Sequence, residues 1–236
     1  MAIQKTQAFI LKSQPFRTSS LIVTAFSRDF GKIKGLVKGV RREGVIRPSA
    51  FEPFTLVEIV YYEKIRSEIH LISEVSILET FDGLRRDLPI LAAAYYLTEL
   101  VDELTESQDP HESIFELLQF VYQFLPSFPV NFVARFLEVR LLYEIGLLPH
   151  LEGCLNCGEK DPEKIYFSPR QGAFFCPRCR TKSPEARLIH RKTLETMRFF
   201  IEEELQSVLR SSLEEETEKE MKDIIERFLV DRIGKP

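Results

Sequence analysis

Cys154-Leu155-Asn156-Cys157 and Cys176-Pro177-Arg178-Cys179 are two C-x-x-C pairs separated by eighteen residues, and they hold all 4 cysteines of the chain. Paired thiols at this spacing form two tight knuckles that aim four sulfurs at one point, the pattern of a tetrahedral zinc site. Gly158, directly after the first pair, suits a knuckle that needs a permissive backbone. Two disulfides or four unrelated buried thiols are the competing readings. The metal reading is preferred because both pairs have ligand spacing and no cysteine is left over. Four thiolates saturate a tetrahedral ion and leave no open position for water, so one structural Zn2+ is expected rather than a catalytic one. His150 and His190 flank the module and are read as ordinary surface or hinge histidines.

The cysteines mark off a module at 149–182, which divides the rest of the chain. Upstream, residues 1–80 read as strands. Ala8-Phe9-Ile10-Leu11 is followed by a polar break ending near Ser19, and Leu21 to Phe26 is β-branched and aromatic. Arg28-Asp29-Phe30-Gly31 is a turn with Gly31 suited to a positive φ. Lys32 to Val40, Phe54 to Tyr62 and Glu68 to Ser73 complete five candidates. Five short strands suit a small closed barrel, for which the OB-fold is the commonest nucleic-acid-binding case; an SH3-like barrel reads almost the same. From Leu88 the apolar period becomes helical, through Leu91, Ala92, Tyr95, Leu100 and Leu104. Further helices are expected over Glu112 to Leu125, Val130 to Ile145, Lys192 to Arg210 and Leu213 to Val230. The expected architecture is therefore α+β and multidomain: a barrel at 1–80, a helical domain at 81–148, the inserted four-cysteine zinc module at 149–182, and C-terminal helices at 183–236 packing on the helical domain.

Charge is unevenly spread. The chain carries −4 overall, yet residues 1–80 hold 12 Lys+Arg against 8 Asp+Glu, and Arg28 to Arg47 contains seven basic and two acidic residues. Lys32, Lys34 and Lys38 share a parity and so project from one face of a strand, while Ile33 and Val37 project into the barrel. Arg41, Arg42 and Arg47 extend the positive surface into the following loop. Three lysines on one face repel one another, and the arrangement favours an anionic partner such as a phosphate backbone, with stacking on Phe16, Phe30 or Tyr61 as a complement. A solvated outer face is the plain alternative.

The chain has no G-x-x-x-x-G-K-[ST], G-x-G-x-x-G, G-x-S-x-G or H-E-x-x-H element. Phe175-Cys176-Pro177 does not have the P-C-x-x-C order that a zinc deaminase requires. No motif argues for catalysis, and a non-enzymatic protein is expected. There is no apolar run of about 18 residues, so no membrane span is expected, and Met1-Ala2-Ile3-Gln4-Lys5 does not read as a signal region. Both features fit a reducing cytoplasm.

The order of parts resembles the RecO family of bacterial recombination mediators over nearly the whole length. The resemblance is carried by Phe26-Ser27-Arg28-Asp29-Phe30-Gly31-Lys32, Val37-Lys38-Gly39-Val40-Arg41, Phe51-Glu52-Pro53-Phe54-Thr55, Phe136-Leu137-Glu138-Val139-Arg140-Leu141-Leu142 and the two cysteine pairs, with Gly172-Ala173-Phe174-Phe175 leading into the second. It implies an N-terminal OB-fold, a helical domain and an inserted zinc module. It also implies binding of single- and double-stranded DNA, annealing of complementary strands, and work with RecR and single-stranded-DNA-binding protein to load recombinase onto coated DNA, in the bacterial cytoplasm and at the nucleoid. Carried over by position, the basic barrel surface falls on Lys32, Lys34, Lys38, Arg41 and Arg42, and the metal ligands are Cys154, Cys157, Cys176 and Cys179. Arg135 and Arg140 are candidates to meet the carboxylates of the tail of single-stranded-DNA-binding protein. The competing function is a zinc-containing protein-interaction adaptor with little DNA affinity of its own.

Overall fold

In Gly31–Val37 burial alternates residue by residue: Ile33, Gly35 and Val37 face a closed core, and Lys32, Lys34 and Leu36 face out. That period of two is repeated around a five-stranded closed barrel in the computed structural model, which describes residues 2–40, 48–64 and 67–233. The strands are β1 (Ile3–Phe16), β2 (Ser20–Ser27), β3 (Gly31–Val37), β4 (Leu56–Tyr62) and β5 (Ile69–Glu79), in the order β1-β2-β3-β5-β4. Every pairing is antiparallel except β3 with β5, which is parallel with Lys34 opposite Ile69 and Val37 opposite Ile72. This is the five-stranded OB-fold arrangement expected above. Arg41, Arg42 and Arg47 lie outside the described residues.

Two strands outrun their sequence signals. β1 does not stop at the polar break after Leu11 but continues through Ser13, which pairs with Val23, to Phe16, which pairs with Ser20. β5 continues past Ser73 to Glu79 because Val75 and Ile77 pair with Ile59 and Val57 of β4. In both cases a neighbouring ladder supplies backbone partners that local composition does not reveal. Conversely β3 ends at Val37, so Lys38 is exposed just beyond the strand.

Gly31 takes φ 63, and a Cβ there would sit 2.0 Å from the Asp109 carbonyl oxygen. Only glycine lets the β2–β3 turn and the segment after the first helix approach this closely.

The chain forms two compact units, Met1–Val130 and Asn131–Pro236. In the first, β1 serves both layers. Ala8 and Ile10 enter the barrel core, while Phe9 points out to Phe115 (4.8 Å), Tyr122 (5.4 Å) and Phe81 (6.0 Å). The helices of this layer are α1 (Leu88–Leu104) and α2 (Glu112–Phe124). Asp87 caps α1 by accepting from the Ile90 N–H at 3.0 Å, with Pro89 in its first turn. Fully buried Tyr122 shares a 2.6 Å hydrogen bond with Thr98, and burial pushes its phenol well up.

In the second unit α3 (Val130–Glu144) is apolar on nearly all sides, and Phe132 and Phe136 meet Phe200 edge-on at 5.7 and 5.5 Å. The cysteine module contains a three-stranded sheet, β7-β6-β8, from β6 (Ile165–Ser168), β7 (Ala173–Phe175) and β8 (Arg187–Ile189). The helix expected over Lys192 to Arg210 is broken. α4 (Arg191–Glu202) stops, and a short α5 (Leu205–Val208) restarts. Glu202, Glu203 and Glu204 put three negative charges at the helix's negative end, which the dipole opposes. The last helix is α6 (Glu215–Ile233).

Candidate nucleic-acid interface and metal centre

The outer face of β3 presents its lysines unequally. Lys32 has only 11% of its side chain exposed; its ammonium lies 3.3 Å from Asp102 Oδ1 and donates to the Asp102 carbonyl. It ties the barrel to α1 and is not available as a free cation. Lys34 is partly exposed and Lys38 fully so. Of the aromatic candidates, Tyr61 belongs to the barrel core at 2% exposure. Burial, then the charges of Glu63 and Asp29, push its phenol up to about 12. Phe30 packs edge-on against it at 6.0 Å, and Phe16 is half-buried beneath the Arg17 guanidinium at 5.2 Å.

A cavity of about 360 Å³ opens where the start of β3 meets the β4–β5 connection and the segment after α1. Its lining includes Lys34, Lys64, Ser67, Glu68, His70 and Ser107. Gln108 stands beside it in the left-handed region, φ 60, with its N–H donated to the Lys32 carbonyl at 3.0 Å. Buried His70 stacks on Tyr61 at 5.2 Å and accepts the Lys64 N–H at Nδ1, 3.3 Å away. Burial pushes its pKa down, outweighing Glu63, and the Lys64 charge adds to the shift. Lys64, His70, Ser107 and Gln108 carry no signal in the sequence. His70 and Gln108 alone are 38 residues apart, and only barrel closure assembles the group.

The four cysteines that the sequence pairs come together as a group that could hold a metal ion. The four Sγ atoms lie within 4.8 Å of one another, with Cys157 and Cys176 at 3.7 Å, and all four cysteines are free of disulfides. Ligands about 2.3 Å from a tetrahedral ion stand roughly 3.8 Å apart, so the sulfurs need little movement to enclose one. Each knuckle is built by backbone. Gly158, at φ 73, donates to the Cys154 carbonyl at 2.8 Å, and Cys179 and Arg180 both donate to the Cys176 carbonyl at 3.0 Å. Asn156 donates its amide to Cys179 Sγ at 3.2 Å and is itself held by Lys182 at 2.6 Å.

The electrostatics suit a cation. Burial raises the Cys154 thiol, but backbone hydrogen bonds from Cys176, Cys157 and Asn156 and the Cys157 thiol overcome it and push the pKa down to about 6. Burial pushes Cys176 up. Cys157 also rises, because burial and the sulfurs of Cys154 and Cys179 outweigh a lowering hydrogen bond from Glu159. A group in which one thiol is acidified while two others are held up is one whose deprotonation a divalent ion would favour. Three of the four cysteines are buried and Cys157 is exposed. The quartet could hold a metal ion and leaves it no open coordination position.

Arg135 and Arg140 are held inside their own unit. Arg135 is 5% exposed and donates to Glu138 at 2.7 Å. Arg140 donates to the carbonyls of Ile201 and Glu203 at 2.7 and 2.9 Å, closing the C-terminal end of α4. His150 is exposed and lies over Phe174, and His190 precedes α4 with Nδ1 3.2 Å from Glu220. Neither histidine joins the cysteines. No helix among the described residues is long and apolar enough to cross a membrane.

The chain matches family models along its length: Recombination protein O N terminal over residues 1–81, and Recombination protein O C terminal over residues 85–236. It is 28% identical to the DNA repair protein RecO of Syntrophus aciditrophicus, over 99% of this chain and 92% of that protein. It is 27% identical to the DNA repair protein RecO of Bacillus subtilis over 98% of this chain and 90% of that one. With the protein of the same name from Caldicellulosiruptor bescii it shares 30% identity over 78% of this chain and 75% of the relative. With a five-stranded barrel, helical layers and a cysteine quartet in the matching order, the chain belongs to the recombination protein O family.

Proposed function

We propose that this chain is a non-catalytic mediator of DNA repair and recombination that holds DNA by its phosphates on the outer face of β3. The observations that carry the reading are exposed Lys38 just beyond β3 and the cavity lined by Lys64 and partly exposed Lys34 at the start of that strand of an OB-type barrel. Contacts of this kind are independent of sequence and bind single and double strands alike, which suits the annealing of complementary strands. Arg41, Arg42 and Arg47, outside the described residues, are the further cations that the sequence offers in this reading. RecR and the acidic tail of single-stranded-DNA-binding protein are the proposed protein partners, through which recombinase is loaded. Among the described residues, the exposed Leu88 and Tyr95 of α1 supply an apolar surface for protein contact. Arg135 and Arg140, turned inward, act in this reading through the shape of the helical layer. The ion in the cysteine quartet is Zn2+, and its role is to hold the module's fold.

Fluorescence anisotropy of a labelled oligonucleotide tests the DNA surface. Lys34→Ala, Lys38→Ala and Arg41→Ala combined should weaken single-strand binding and flatten its dependence on salt. Unchanged binding by a folded triple variant would remove the β3 face from the interface. Annealing of complementary strands, measured with and without single-stranded-DNA-binding protein and RecR, tests the rest.

A further inference from the structure

The cavity beside β3 is more than a basic patch. It is concave, about 360 Å³, and within the roughly 300–1,000 Å³ in which small-molecule-sized groups are held. Phosphates need only the charges of Lys34 and Lys64, which line it beside one carboxylate, Glu68. The features at its edge are of another kind. Gln108 is kept at φ 60, a conformation that costs a non-glycine residue energy and persists only where its surroundings enforce it. Enforcement comes from the bridge between Lys32 and Ser107 and from the Gln108 N–H bound to the Lys32 carbonyl. Lys32 in turn is locked by Asp102.

His70 then orients the amide. Its Nδ1 accepts the Lys64 N–H, so in the neutral ring the proton sits on Nε2. The Gln108 amide nitrogen stands 3.3 Å from Nε2; because a protonated Nε2 cannot accept from it, the amide is assigned with Oε1 on that side, where Oε1 accepts. The NH2 group and the second lone pair of Oε1 are left for a ligand. A side-chain amide of this kind, donor beside acceptor, is the complement of the exposed edge of a nucleobase.

We infer that the cavity takes one unpaired nucleobase of a bound single strand, its edge met by Gln108, with the neighbouring phosphates on Lys34 and Lys64. The inference rests on the DNA-binding reading above and adds a base-dependent contact to a surface otherwise blind to bases. A base stacked in a duplex cannot enter, so the pocket favours single strands. Every base carries an edge that an amide can meet, so no sequence preference follows.

The test compares a normal single-stranded oligonucleotide with one of equal length whose sugars lack bases, in anisotropy titrations across salt concentrations. The wild-type chain should bind the normal strand about fivefold or more tightly, the worth of one good amide–base pair. Gln108→Ala should lower affinity for the normal strand alone and leave the salt dependence unchanged. Gln108→Gly, which suits the positive φ, should do the same and separates base contact from loop strain. Lys34→Ala should weaken both strands. Equal wild-type affinity for the two strands, or equal losses on both from the Gln108 variants, overturns the base pocket while the phosphate surface stands. Failure of wild type to bind either strand, or indifference of both to Lys34→Ala, sinks the phosphate reading itself.

Discussion

Lys32 Nζ sits 3.3 Å from Asp102 Oδ1, so the first lysine of the basic strand is committed to holding α1 against the barrel. Lys34 on the same face and Lys38 just beyond the strand have no such tie to α1 among the described residues. The two kinds of lysine should separate experimentally. Lys32→Ala should destabilise the first unit by about 1–3 kcal/mol, the range for a hydrogen-bonded charge, and leave the salt slope of DNA binding nearly unchanged. Lys34→Ala should leave stability within about 0.5 kcal/mol and reduce the slope on single strands by about 0.7. Urea melts and anisotropy on the same two proteins decide it; a reversed pattern refutes the assignment.

Metal removal should act locally. A structural zinc site contributes on the order of 10 kcal/mol to the module that it closes. A chelator, or Cys154→Ser, should release one ion per chain and expose the amides around 149–182 to hydrogen exchange, with the strands of the barrel still protected. Metal analysis and exchange mass spectrometry report both quantities. Loss of barrel protection in step with the module would contradict a purely local role.

His70 should make stability depend on pH. Burial holds its folded pKa below 6.5, so the unfolded chain binds the proton more readily. Its contribution is complete above about pH 6.5 and falls as pH drops through the lower folded value. The slope from one such group approaches about 1.4 kcal/mol per pH unit at most. Glu63 works against the shift and Lys64 with it. Urea melts between pH 7.5 and 5, at roughly half-unit steps, should show His70→Asn flatter than wild type. Parallel curves would exclude the histidine.

Arg135 and Glu138 form a buried ion pair at 2.7 Å within α3. Arg135→Ala strands a carboxylate in the core and should cost about 3–5 kcal/mol. Arg140→Ala removes two bonds to the end of α4 and should cost about 1–3 kcal/mol. Thermal melts of both variants would rank them, and a larger loss for Arg140→Ala would invert the argument.

The cysteine quartet, the period-two lysines and the long apolar helices were legible because each is a local pattern. Spacing alone aims two knuckles at one point, alternation alone puts Ile33 and Val37 inward, and the period from Leu88 to Leu104 marks out α1. Where the period was read too strictly, long-range partners decided. β1 runs on to Phe16 because β2 pairs with it, and α4 ends at Glu202, beside the Ile201 carbonyl to which Arg140 donates.

The sequence by itself determined the family, the barrel, the cysteine quartet and the positive sign of the β3 face. Which of three like-charged lysines is tied to α1 was decided only by tertiary structure, because Asp102 is seventy residues from Lys32 in the chain and reaches it only when α1 docks. The same holds for the cavity. Lys64, His70 and Gln108 are unremarkable where they stand in the sequence, and they acquire a common chemistry because barrel closure and one left-handed residue bring them together.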